Sequence, residues 1–331
     1  MKKQLEIGII GCSSIGKRVI IPAIKEANSC KLGIIGSRSP KKAKNTALKF
    51  QSRKFGNYND VIEDKETDLI YISLPIGLQE YWAIKAAKAG KHVLCEKSIS
   101  TSHTSTKKIW KEFKKNNVKI VEAFSYRYHP QHVFVKKILK NNNLGVIHNF
   151  STTFLLPIIP SKNDFRFNKK LGGGVLNDVG CYTINASRYF LENEPTSVTC
   201  KLDTNKKFNI DIKGSITMSF NNEKTSFGLI GYDNEFFSDY RIFCKKGIII
   251  SNKPYNTKKS ETTEIHIKSN KDKIKKIIKK NQSKLMIEEF CRKIKLKNYD
   301  LSDEIINQSK VMEAARISNI KNKTVFLSDL K

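Results

Sequence analysis

Residues 8–16 read GIIGCSSIG and continue the apolar start of a strand, LEIGII at 5–10. In a strand-turn-helix unit that holds a dinucleotide, the first glycine permits the tight turn. The second lets the backbone approach the pyrophosphate, and the third lets helix and strand pack closely. Gly11, Ser13 and Gly16 stand in those places, with Ser14 and Ile15 completing the turn. Serine is small enough for that approach at negative φ, and its hydroxyl can itself bond a phosphate oxygen. The helix N-terminus behind it attracts an anion. The stretch is either a phosphate cradle or a structural glycine turn, and the motif alone does not decide between them.

The next strand, KLGIIG at 31–36, runs into SRSPKKA. A site selecting NAD normally offers a carboxylate there to the ribose hydroxyls. This chain offers Ser37, Arg38 and Ser39, with Lys41 and Lys42 close by. Such groups suit a 2′-phosphate, and Arg38 can pair with it while stacking on adenine. The cofactor expected is therefore NADP, with NAD less favoured. The competing reading, a cluster of surface charge at a helix start, leaves the missing acid unexplained.

Around these two stretches, apolar runs at EIGII, KLGIIG, DLIYISL, KHVLC and VKIVEAF alternate with helical patterns at 15–28, 40–51, 78–89 and 101–117. That alternation predicts βαβ units and a parallel sheet. A linking helix is expected over 128–142. After Gly145 the texture becomes β-branched and aromatic with short polar turns, which predicts a mostly antiparallel sheet interrupted by one helix at 181–191. Helical spacing returns in KLMIEEFCRKIK and in DEIINQSKVMEAARISNIK, the latter starting from a Ser302 cap. The lysine-rich KSNKDKIKKIIKK at 268–280 spaces Ile274, Ile277 and Ile278 as a helical stripe, so a solvated helix docked on the body is expected there. The expected division is 1–124 for the nucleotide domain, 125–143 for the linking segment and 144–331 for an α+β domain.

At 331 residues two domains are expected, and 39% apolar and 28% charged residues fit a globular chain. No apolar run approaches the roughly 20 residues of a membrane span, and the IGII after MKKQLE is too short for a signal peptide. A cytoplasmic protein with no membrane partner is expected. The seven cysteines (Cys12, Cys30, Cys95, Cys181, Cys200, Cys244, Cys291) are scattered singly. They read as reduced thiols, and no metal site is inferred. A formal net charge of +30 would suit a polyanionic partner. Lysine is spread over nearly every helical segment, however, so no nucleic-acid partner is expected. An open sheet in the second domain would leave an apolar face, which a homo-oligomer, most simply a dimer, or the C-terminal helices returning to the body would cover.

Two further stretches, AGKHVLCEKS at 89–98 and LGGGVLNDVGCY at 171–182, join GIIGCSSIG, EAFSYRYHPQ and DFRFN in a fixed order. On these motifs the chain resembles the Gfo/Idh/MocA oxidoreductases from about residue 5 to its end. The resemblance implies a doubly wound Rossmann domain followed by an α+β domain with a large open, mostly antiparallel sheet. It also implies NAD or NADP as cofactor and a sugar, polyol or nucleotide-linked sugar as substrate. It puts Leu74, Pro75, Gln79, Glu96 and Lys97 at the cofactor, with Lys97 reaching the substrate. Asp178 matches the acid of the family's DxGxH motif, and Tyr182 stands at the histidine position. That pattern is similar to the dihydrodiol and xylose dehydrogenases and some sugar ketoreductases, where the tyrosine donates or accepts the proton. Tyr126, Arg127, His129 and Arg166 resemble positions bordering the substrate.

The chain departs from the family where Ser98 replaces the proline of EKP and where Ile76 and Gln79 replace polar or histidine residues. A cis peptide before serine costs about 2.5–4 kcal/mol. Hydride transfer at a carbon bearing oxygen needs a partner proton transfer, and Lys97 with Tyr182 are the candidates. Their plainer readings are a surface lysine and a packing aromatic. Asp178 either orients the substrate or caps the following helix, and His129 before Pro130 either borders the pocket or only ends a loop. Cys95 and Cys181 show no activating base. The competing functions are a catalytically silent NADP-binding sensor, a bilin reductase and a cofactor-assisted glycosidase.

Overall fold

The computed structural model describes residues 4–232, 234–270, 272–277, 279–296 and 302–330. They form two compact units, residues 1–125 with 281–306 and residues 126–280 with 307–331.

In the first unit β1 (Leu5–Ile10) leads through a π-helical turn, Gly16–Ile20, into α1 (Ile21–Glu26). There follow β2 (Cys30–Gly36), α2 (Pro40–Phe50), β3 (Lys54–Gly56), α3 (Tyr58–Glu63) and β4 (Leu69–Ile72). Then come α4 (Ile76–Lys88), β5 (His92–Cys95), α5 (His103–Lys115) and β6 (Ile120–Glu122). All neighbouring strands are parallel, in the order β3-β2-β1-β4-β5-β6. A sheet covered on both faces needs strands apolar on both, and LIYI in β4 is wholly buried. The short α3, absent from the periodicity, is held by a capping box in which Asn57 and Asp60 bond each other's backbone amides.

The second unit begins with α6 (Pro130–Lys140), β7 (Ile147–Leu156) and α7 (Cys181–Leu191), the last preceded by a π-helical turn at Leu176–Gly180. Strands β8 (Pro195–Asn205), β9 (Ile210–Phe220), β10 (Thr225–Tyr232), β11 (Phe237–Cys244), β12 (Gly247–Ser251), β13 (Thr263–Lys268) and β14 (Lys273–Ile277) follow. After them come α8 (Gln282–Lys295), α9 (Ser302–Lys321) and β15 (Val325–Phe326). The sheet order is β14-β13-β12-β11-β7-β10-β9-β8-β15, antiparallel except where β7 meets β10. Helix α8 packs with the first unit against α1, where Asn281 Nδ2 bonds Glu26 Oε2 at 2.8 Å. The side chain of Ser302, expected as a cap, lies outside the described residues, as does Ile278.

The helix expected over 268–280 is instead the antiparallel pair β13–β14. Residues three apart share a helix face but lie on opposite faces of a strand. Accordingly Ile277 is buried while Ile274 is 60% exposed. Periodicity could not see the neighbouring strand that supplies the hydrogen bonds.

One face of the nine-stranded sheet packs on α7 through Phe150, Phe154, Ile216 and Ile230. Behind it sits Tyr126, expected to border the substrate but 0% exposed. Its hydroxyl donates to Asn185 Oδ1 at 2.7 Å, and Asn185 Nδ2 reaches Gln308 Oε1 at 3.2 Å. Its ring stands nearly perpendicular to those of His132 and Tyr255, with centroids 5.4 and 5.2 Å away. Tyr126 is therefore a strut beneath α7. Tyr126→Phe should lower unfolding free energy by about 0.5–1.5 kcal/mol, the net worth of one intramolecular hydrogen bond. An unchanged urea midpoint would show that the hydroxyl carries no such load.

Candidate active site

In an open parallel sheet, ligands collect outside the carboxyl ends of the strands, where the strand order reverses. In the first unit that point lies between β1 and β4, and the sequence stretches that suggested a cofactor cluster around it. Gly11 leaves β1 at φ +103°, a conformation L side chains rarely adopt, and a Cβ there would stand 2.6 Å from Ser73 O. Only glycine permits this turn. Gly16 lies over the Tyr71 ring, which would be 3.6 Å from its Cβ. Between them Ser14 and Ile15 are exposed at the helix start. The hydroxyl of Ser13 faces inward, accepting from Gly16 N at 3.0 Å and contacting Ser73 Oγ.

At the end of β2, Ser37 is buried and accepts from Ser39 N at 3.2 Å. Ser39 caps α2 by accepting from Lys42 N. Arg38 and the Lys42 side chain stay exposed, and no acid occupies this strand end. Burial raises the Tyr58 pKa, and the Arg38 guanidinium opposes that shift.

At the end of β4, Leu74 and Pro75 lead into α4. Gln79, expected to touch the cofactor, is 0% exposed. Its Nε2 donates to Leu74 O at 2.9 Å and its Oε1 accepts from Cys95 Sγ at 3.0 Å. The amide is spent inside the unit, so Gln79 braces the Leu74–Pro75 turn. Ile76 is buried beside it. Beyond β5, Glu96 Oε1 accepts from the Tyr71 hydroxyl at 2.5 Å, and Lys97 is half-buried. The Lys97–Ser98 peptide is cis even without the family's proline. Ile99 N then donates to Glu122 Oε1 at 2.9 Å, fixing the far side of the turn.

In the second unit Asp178 does not cap α7, whose start has no side-chain cap. Its Oδ2 accepts from Arg166 Nε at 2.9 Å and from the Tyr232 hydroxyl at 3.0 Å. Arg166 also reaches Asp164 at 3.1 Å. Burial alone would lower the Arg166 pKa, but Asp178 and Asp164 outweigh it and raise it. Burial, reinforced by Asp178, raises Tyr232 well above the usual phenol value. Tyr232 went unnoticed in the sequence because a buried strand tyrosine looks like packing. Asp211, likewise unnoticed, holds the turn before α7 by accepting from Leu176 N at 2.7 Å.

One turn onward, Tyr182 is half-buried, its ring packed against Phe154, Tyr255 and Tyr126 at 5.5, 5.3 and 5.9 Å. The Arg127 guanidinium lies over the Tyr189 ring at 4.8 Å. His129, fully buried, caps α6 by accepting from Gln131 N, and burial lowers its pKa to about 4. It thereby caps the helix that opens at Pro130.

Comparison with known proteins agrees with both units. Residues 5–124 match the profile described as an oxidoreductase family with an NAD-binding Rossmann fold. Residues 132–250 match that of the GFO/IDH/MocA C-terminal domain. The chain is 28% identical to a dTDP-3,4-didehydro-2,6-dideoxy-alpha-D-glucose 3-reductase of Saccharopolyspora spinosa, over 77% of this chain and 76% of that protein. It is also 28% identical to a D-xylose 1-dehydrogenase (NADP(+)) of Haloferax volcanii, over 78% and 79%. A crystal structure of a 3-ketoreductase from Actinomadura kijaniata with NADP and TDP-benzene superposes with a TM-score of 0.90 at 24% identity, covering 96% of this chain and 98% of that one. With both of its domains matched in order, the chain belongs to the Gfo/Idh/MocA family of oxidoreductases.

Proposed function

We propose that the chain is an NADP(H)-dependent oxidoreductase acting on a hydroxyl or carbonyl carbon of a sugar, polyol or nucleotide-linked sugar. The observation that carries this is the convergence, at the carboxyl end of one parallel sheet, of the Gly11–Gly16 turn, the acid-free end of β2 with Arg38, and Lys97. The turn fits a pyrophosphate because a Cβ at Gly11 would close it. Arg38 and Lys42 would pair with a 2′-phosphate, and Leu74 and Pro75 would flank the ring. The nicotinamide, when bound, supplies the hydride chemistry.

The proton is the protein's task. The first unit offers Lys97, half-buried after a buried strand, and the second offers Tyr182 in an aromatic setting. A cation favours phenolate and holds a carbonyl oxygen, so the two groups divide one proton transfer. Asp178 and Arg166 present a fixed ion pair suited to sugar hydroxyls. Both the D-xylose dehydrogenase and the nucleotide-sugar reductase among the relatives support a sugar-like substrate.

We also propose a homodimer. Phe227, Leu229 and Phe237 lie on the face of the nine-stranded sheet away from α7 and remain 41–49% exposed, an apolar patch that a second copy would cover. The reading carries a cytoplasmic location, which the seven free cysteines support.

Three outcomes follow. Arg38→Asp should weaken NADPH binding roughly 10- to 100-fold, the worth of one charge-assisted hydrogen bond, and reverse the preference toward NADH in fluorescence titrations. Wild type binding NADH more tightly would refute the assignment. Tyr182→Phe and Lys97→Met should each lower turnover about 10² to 10⁴-fold with NADPH affinity kept, and the double variant should lose far less than the product. Near-normal turnover of both single variants would move the chemistry to other residues. Light scattering should report a dimer that Phe227→Lys dissociates; a monomer at every concentration would remove that claim.

A further inference from the structure

The buried face of α4 reads Ile76, Gln79, Ala83, Ala86 and Ala87. Gln79 stands on it as an amide among apolar side chains. Packing alone would be served as well by methionine, which has no amide to desolvate. The use of this residue therefore lies in its polar atoms.

Those atoms lie where the sheet opens. The ladder between β4 and β5 ends at the pair Ile72 and Cys95, with a bond from Glu96 N to Ile72 O at 3.1 Å. From there the continuation of β4 bonds its other neighbour, Ser73 N donating to Ile10 O at 2.9 Å. Gln79 bridges the two chains as they part. Its Nε2 donates to Leu74 O at 2.9 Å, and its Oε1 accepts from Cys95 Sγ at 3.0 Å. The orientation of the amide is fixed, because turning it over would set Oε1 against the Leu74 oxygen, which only accepts. Burial, then Glu122 and Glu96, raises the Cys95 pKa well above the usual thiol value, so the thiol keeps the proton it donates. No side chain caps the start of α4, whose N-cap is Pro75. The Leu74–Pro75 turn is held from inside the helix instead.

We propose that Gln79, without touching the cofactor, is the positioning residue for its nicotinamide half, because it clasps the Leu74–Pro75 turn to the end of β5. The inference rests on the reading of this strand end as the place of the nicotinamide. A ligand that needs the turn in one place loses affinity in proportion to the time the turn spends elsewhere. The adenosine half is read by Arg38 at the end of β2, two strands away from β4. The clasp therefore acts on one half of the ligand and spares the other.

Calorimetry on the whole protein, comparing NADPH with adenosine 2′,5′-bisphosphate, tests this. The bisphosphate carries the adenine and the 2′-phosphate but no nicotinamide. Gln79→Met should bind NADPH about tenfold more weakly, as if the turn stood in place about a tenth of the time, and the bisphosphate within about twofold of wild type. Cys95→Ala removes one end of the clasp, so it should show the same selective loss to a smaller degree and add little to Gln79→Met. It carries the test if Gln79→Met does not fold. Cys95→Ser, whose hydroxyl also donates, should recover most of what Cys95→Ala loses. Serine and alanine differ little in volume, so that contrast reports the donor and not the packing. NADPH affinity that Gln79→Met leaves unchanged, or a loss shared equally by both ligands, overturns the proposal. If wild type binds neither ligand, the cofactor reading itself fails and takes this inference with it.

Discussion

The missing Cβ of Gly11 is the constraint on which the first unit's candidate site depends. The chain leaves β1 at φ +103° and passes so close to the next strand that a methyl group would meet Ser73 O at 2.6 Å. Because the turn is this tight, the amide of Gly11 bonds Gly36 O on one side and Ser73 N bonds Ile10 O on the other. The ends of β2 and β4 are thereby drawn to the same point. Arg38 follows one of these strand ends and Leu74 the other. A bulkier first residue would push the turn outward and open the space that backbone amides now line.

That constraint was legible in GIIGCSSIG because glycine before a helix has few other uses, and the acid-free SRSPKK beside it was legible for the same kind of reason. Chemistry that depends on one residue type at one place leaves a mark in the sequence. Roles that depend on burial did not. Tyr126 and Gln79 carry polar groups near motif residues and invited a binding role, yet both are fully buried with their polar atoms bonded inside their own units. Which side of a loop or helix turn faces inward depends on the packing around it, and the sequence alone does not state that packing. Tyr71 and Ser73 left a fainter signal: hydroxyl groups in a strand that must be buried on both faces imply partners waiting for them.

The strong positive charge has a local explanation in one place. Strand β14 is an edge of the nine-stranded sheet, and Lys273, Lys275 and Lys276 on it are exposed. Lysines on a free edge oppose pairing with another chain's strand. The same residues that looked like a helix stripe thus fit a protected edge, and the charge there needs no polyanion.

The tyrosines divide by what stands beside them. A phenol next to a carboxylate is held neutral, because ionising it would set two negative charges together in a buried place. Tyr71 beside Glu96 and Tyr232 beside Asp178 are both of this kind, and burial with the neighbouring acid raises each well above its ordinary value. They serve as lasting donors that orient an acid. A phenol that must give and take a proton needs the opposite setting, near a cation and open on one side. Tyr182 is half-buried among rings, and Arg166 is spent on Asp178 and Asp164. In the proposed function the cation's part is given to Lys97 rather than to Arg166.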